Sequence, residues 1–134
     1  MKTKILATCI ATTFCVFASA QDFYDYFSDK TLRINFTLAG NANEQGIFIN
    51  NMNSIKKWYG RKNHLNEYPV EGNAQYELRD HKTGKIIYRN SLSTLFQEWQ
   101  TYPEAKKTNR AFENVILLPM PKDTADITIS LLSN

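Results

Sequence analysis

The chain has 134 residues, a formal charge of +3 and two cysteines. Both cysteines, Cys9 and Cys15, lie in the first twenty positions with two of the sixteen basic residues, while all thirteen acids lie beyond them. Residues 21–134 therefore carry fourteen basic against thirteen acidic side chains, a net +1 with no bulk field for nucleic acid or anionic lipid. Without a thiol they also exclude disulfides, thiolate metal sites and a cysteine nucleophile.

The chain opens as an export signal. Met1, Lys2 and Lys4 give a cationic start, an apolar run follows from Ile5 to Phe17, and Ala18-Ser19-Ala20 supplies the small-residue cleavage site. The apolar run is shorter than the roughly 20 residues that a helix needs to cross a bilayer, which argues against an uncleaved anchor. The expected product is exported, with the signal cleaved after Ala20 and no membrane association afterwards. Its destination is periplasmic, cell-surface or secreted. About 114 residues then remain, enough for one domain with a real core.

Residues 21–29 are aromatic and acidic, with Phe23, Tyr24, Tyr26 and Phe27 beside Asp22, Asp25 and Asp29, and read as a leading segment that folds onto the domain. From Thr31 to Ala39, Leu32, Ile34, Phe36 and Leu38 alternate with Arg33, Asn35 and Thr37, the period of a strand with one buried face. Gly40-Asn41-Ala42-Asn43 ends it as a turn. Gly46–Met52 gives a second strand, followed by Trp58-Tyr59-Gly60 in a basic stretch and a polar loop to Gly72.

Residues 75–90 read as a hairpin that turns at Asp80-His81-Lys82-Thr83-Gly84, where Gly84 supplies a positive φ. Thr94 and Gln97 fit a capping box, with Leu95 and Trp99 one helical turn apart, although the same stretch also suits an extended chain. Pro103–Lys107 reads as a polar stretch with a short helix. Val115–Leu118 is a continuous apolar run before Pro119 and Pro121, the pattern of a central strand that ends at the prolines. Ile127, Ile129 and Leu131 alternate with Thr128 and Ser130 as a last strand. About six short strands with little helix predict an all-β antiparallel sandwich.

Tyr26-Phe27, Leu32–Phe36, the pair Trp58 and Gly60, the hairpin Asp80–Tyr88 and above all Ser93–Thr101 carry a family resemblance. On these residues the chain resembles the N-terminal domain of IgA peptidase-like zinc metallopeptidases, metallopeptidase family 64, of Bacteroides-type gut bacteria. The resemblance implies an immunoglobulin-like β-sandwich with one short helical segment. It also implies a separate catalytic peptidase domain as partner, in cis if the gene continues, and a protein or glycan substrate. Zinc peptidase chemistry of this kind needs His-Glu-x-x-His, with two ligands one helical turn apart and a glutamate base. The only histidines, His64 and His81, stand seventeen residues apart outside that motif. No catalytic residue, metal ligand or cofactor site is therefore carried over.

The remaining candidates are surfaces. Trp58, Tyr59, Phe96, Trp99 and Tyr102 are either core anchors or a contact patch, and four of them suit an aromatic platform for sugars. His64 and His81 read as solvated loop side chains, and Asp22, Asp25 and Asp29 as an acidic leader lacking the spacing of a calcium loop. Lys56, Lys57, Arg61 and Lys62 around Trp58 read as a wet strand edge. Asp123-Thr124-Ala125 matches a short bacterial O-glycosylation pattern, which makes Thr124 a candidate for modification. Asn35-Phe36-Thr37 matches the N-glycan sequon but falls mid-strand.

Overall fold

A computed structural model describes residues 22–68 and 72–131. The expected export signal and its cleavage point lie outside these residues. Six strands form two antiparallel sheets of three. β1 (Phe27–Gly40), β2 (Gln45–Ile55) and β5 (Arg110–Pro121) make the first, in the order β2-β1-β5. β3 (Ala74–Asp80), β4 (Ile86–Leu92) and β6 (Ala125–Leu131) make the second, in the order β4-β3-β6. This is the all-β sandwich expected from the strand pattern. No helix among the described residues is long and apolar enough to cross a membrane.

The period-two reading of β1 holds: Ile34, Phe36 and Leu38 are wholly buried. They meet Tyr76 and Leu78 of β3, Tyr88 of β4 and Ile116 and Leu118 of β5 in one core. Each such side chain contributes about 1.5–3 kcal/mol by leaving water, so this cluster is the main support of the described residues, which hold no cysteine. Phe23 and Phe27 of the leading aromatics join it, as expected, while Tyr24 stays exposed. Asp22 caps a single helical turn, α1 (Phe23–Tyr26), by accepting from the Tyr24 N–H at 2.9 Å. That turn delivers Phe23 onto Phe27, with ring centroids 5.3 Å apart.

Two turns have visible causes. At the β1–β2 turn Gly40 takes φ +146°, and a Cβ there would stand 2.0 Å from the Glu44 carbonyl oxygen. At the β3–β4 turn Asp80 accepts from the Thr83 N–H at 2.8 Å and the Thr83 hydroxyl at 2.6 Å, which holds its carboxyl below the usual range. Gly84 completes that turn with φ +68°.

The helical reading of the 94–100 stretch is the observed one. Thr94 Oγ1 accepts from the Gln97 N–H at 3.4 Å and starts α2 (Leu95–Gln100). The N–H of Thr94 itself goes to Asn73 Oδ1 at 2.7 Å, which ties the helix start to the head of β3. A 3₁₀ turn at Pro103–Lys106 follows.

One expectation is corrected. Val115–Leu118 does not form a central strand, because β5 lies at the edge of the first sheet. Ile116 and Leu118 point inward and are buried, while Val115 and Leu117 are exposed. The strand also begins earlier, at Arg110, and runs through Pro119 to Pro121. An edge strand has one row of backbone groups facing away from the sheet, so a proline's missing N–H is tolerated there.

Candidate functional site

The five aromatic candidates divide. Trp58, Phe96 and Trp99 are core, whereas Tyr59 is 84% exposed and Tyr102 47% exposed. Trp58 leaves the end of β2 and enters the sandwich, where it meets Tyr88 edge to face at 6.0 Å. Its indole N–H donates to the Arg61 carbonyl at 3.0 Å. Gly60 makes this path possible, since a Cβ there would stand 2.2 Å from the Trp58 ring. Phe96 and Trp99 pack with Phe112 of β5 at 5.8 and 5.7 Å. The Trp99 indole donates to Glu104 at 3.2 Å, and Arg110 pairs with the same carboxylate at 2.6 Å. Tyr102 donates to Glu98 at 3.0 Å, and that hydrogen bond raises its hydroxyl above the ordinary value. With both tryptophans inside, the four-ring platform for sugars does not form.

The loop that carries Trp58 instead bounds a cleft of about 510 Å³. Its walls include Tyr76, Tyr88 and Asn90 of the second sheet, Ile116 of β5 and the stretch Trp58–Arg61. The Tyr76 hydroxyl is pushed up to about 12, chiefly by burial and then by the neighbouring Tyr88. Arg61 lies over the Tyr88 ring at 5.1 Å. Its guanidinium donates to the Glu67 carbonyl at 2.6 Å and to the carbonyls of His64 and Arg89, so it clamps the loop onto β4. Among the described residues the polar groups of the cleft lining are the hydroxyls of Thr31, Tyr59, Tyr76 and Tyr88, the Asn90 amide and the Arg61 guanidinium.

The sequence reading placed Arg61 on a wet strand edge with its basic neighbours and missed its clamping role. The available signal was its position three residues after Trp58, whose indole it receives. Lys62 does stay at the surface, donating to Asp29 at 3.0 Å and Tyr24 at 2.7 Å, contacts that raise its pKa.

The polar candidates sit apart. His64 Nδ1 is 3.3 Å from Glu67, and His81 Nδ1 is 3.0 Å from Asp126, each on an exposed loop. Asp22 is occupied by α1 and Asp29 by Lys62. Among the described residues no group of three histidines, cysteines or acids is arranged to hold a metal ion. Thr124 is exposed in the turn between β5 and β6, with its carbonyl accepting from the His81 N–H at 3.1 Å.

Residues 22–134 match the family described as Peptidase M64 N-terminus. The chain belongs to this family. The match takes in every element of the described residues, from α1 to β6, including the Trp58–Gly60 loop and α2. A search among curated proteins finds no match to it. Association with a peptidase domain in the parent protein follows from the family.

Proposed function

We propose that this chain is the non-catalytic accessory domain of an exported zinc metallopeptidase. In this reading it positions or stabilises a catalytic domain absent from these 134 residues, or helps that domain engage a protein substrate. The observation that carries the reading is the family match over residues 22–134, on a sequence without His-Glu-x-x-His. The mechanism is surface complementarity on a stiff spacer, with no bond made or broken. The exposed Leu95, next to the Thr94–Asn73 contact at the head of β3, supplies apolar surface for such a contact.

The rival reading is a free-standing glycan- or protein-binding module. The cleft beside Tyr59 favours it, because amide, hydroxyl and aromatic groups converge there. Glycan-array binding that is lost in Tyr59→Ala would support this rival.

The chain itself tests the accessory reading. Loaded with one equivalent of zinc, it should cleave no protein substrate, and its melting temperature should not move. Proteolysis, or stabilisation by zinc, would sink the proposal.

A further inference from the structure

The four edge strands are not treated alike. The outer edge of β4 is covered, since the Arg89 N–H donates to the Leu65 carbonyl at 2.7 Å and Arg61 binds the Arg89 carbonyl. β5 contains Arg110, Glu113 and two prolines. β6 has seven residues, among them Asp126 paired with His81. Cover, prolines, charges and short length are the means by which natural edges avoid pairing. β2 has eleven residues with no charge and no proline. Phe48 is 59%, Ile49 47% and Met52 52% exposed along it.

Pairing with β1 fixes which way these side chains face. Ile47, Ile49 and Met52 lie beside Leu38, Phe36 and Ile34, hence on the inner face of the first sheet. Phe48, Asn51 and Asn53 lie beside Thr37, Asn35 and Arg33 on the outer face. Asn50 is the extra residue of a bulge, and its amide donates to outward-facing Thr37 at 2.9 Å. The in–out order therefore reads the same from either end about Asn50–Asn51. Ile49 matches Met52, Phe48 matches Asn53, Ile47 matches Ser54 and Gly46 matches Ile55. An unbulged strand in this register would set inward residues against outward ones.

Such a strand pairs with its own copy about a two-fold axis, with every side chain beside a neighbour on the same face. Continued one or two residues beyond each end of β2, the same register brings Glu44 of one copy opposite Lys57 of the other, with Lys56 adjacent, and the axis repeats this contact. None of these three side chains forms an ion pair with a described residue of its own chain. Charge complementarity at both ends of an uncharged seam thus favours a second copy over an unrelated partner.

We propose that the chain forms a two-fold homodimer by antiparallel addition of β2 to β2, joining the two first sheets into one continuous sheet. The seam is about 37 Å long, from eleven residues at about 3.4 Å each. One strand pair is small beside the roughly 1,600 Å² of a standard interface, so the dimer is reversible, with a Kd of about 10–100 µM.

Sedimentation of the purified chain over about 5–500 µM tests this, bracketing the expected Kd. The expected result is a mass that rises from monomer to dimer. Glu44→Lys should weaken the dimer about tenfold through two lost contacts and two new repulsions. Adding Lys56→Glu and Lys57→Glu to that variant should restore it. Met52→Lys, an inward charge at the edge, should abolish it. If Met52→Lys fails to fold, the charge exchange alone decides. A monomer throughout the range, a dimer indifferent to Glu44→Lys, or a charge exchange that restores nothing overturns the proposal.

Discussion

The contact between Gly60 and Trp58 makes the sharpest prediction about this fold. Gly60 has no unusual backbone angle, so alanine there meets only the space problem: a Cβ 2.2, 2.6 and 2.7 Å from three atoms of the Trp58 ring. The ring is wedged against Tyr88 and fixed by its hydrogen bond to Arg61, so it has no easy retreat. Gly60→Ala should cost about 1–3 kcal/mol, the usual range for overpacking. Trp58→Ala should cost about 3–5 kcal/mol through lost burial and a cavity. In the double variant the added methyl enters the space that the ring has left, so the glycine change should be nearly free. The assay is urea unfolding of the four proteins, from which the coupling follows as the cycle difference. A coupling of about 1–3 kcal/mol is expected from the overpacking cost it removes. If Gly60→Ala costs the same with and without the tryptophan, the ring is not the reason for the glycine.

Three further outcomes are expected. Gly40→Ala should destabilise more than Gly84→Ala in thermal melts, because both glycines have positive φ but only Gly40 faces a backbone oxygen, at 2.0 Å. The Gly84 change should cost about 1 kcal/mol, for the strained backbone alone. Tyr76, raised to about 12 from an ordinary 10, should make stability fall as pH rises from about 10 through about 12, since the folded protein keeps a proton that the unfolded chain releases. The loss is at most about 2–3 kcal/mol, and Tyr76→Phe should remove that share of the pH dependence. Finally, intact-mass analysis of the chain recovered from its native host should give a start at Gln21, the result expected of a cleaved export signal, and a glycan on Thr124 that Thr124→Ala removes.

Much of the frame was legible because alternation is a strong signal where one face is wet. β1 was read from Leu32, Ile34, Phe36 and Leu38, and the β3–β4 hairpin from its Asp80–Gly84 turn, and the structure places both there. β5 was misread because four apolar residues in a row hide their own alternation. Only the neighbouring strand decides that Ile116 is buried and Val115 is not. The aromatic candidates show a second limit. Trp58 and Tyr59 are adjacent in sequence and opposite in fate, since a loop's path, and not a period, turns one ring inward. Arg61 illustrates the same point, because its partners are carbonyls brought from His64, Glu67 and Arg89, which no charge count would suggest. The cleft was invisible in the sequence because its walls come from both sheets and a loop.

In the proposed reading this M64 N-terminal domain supports a peptidase domain. The most direct measurement compares the parent peptidase domain alone with the same domain after residues 22–134 are supplied, following its melting temperature and its turnover of a protein substrate. The account predicts a higher melting temperature, or faster cleavage of the protein substrate, with no activity from the N-terminal domain alone. Unchanged stability and unchanged turnover at saturating concentrations of the domain would contradict it.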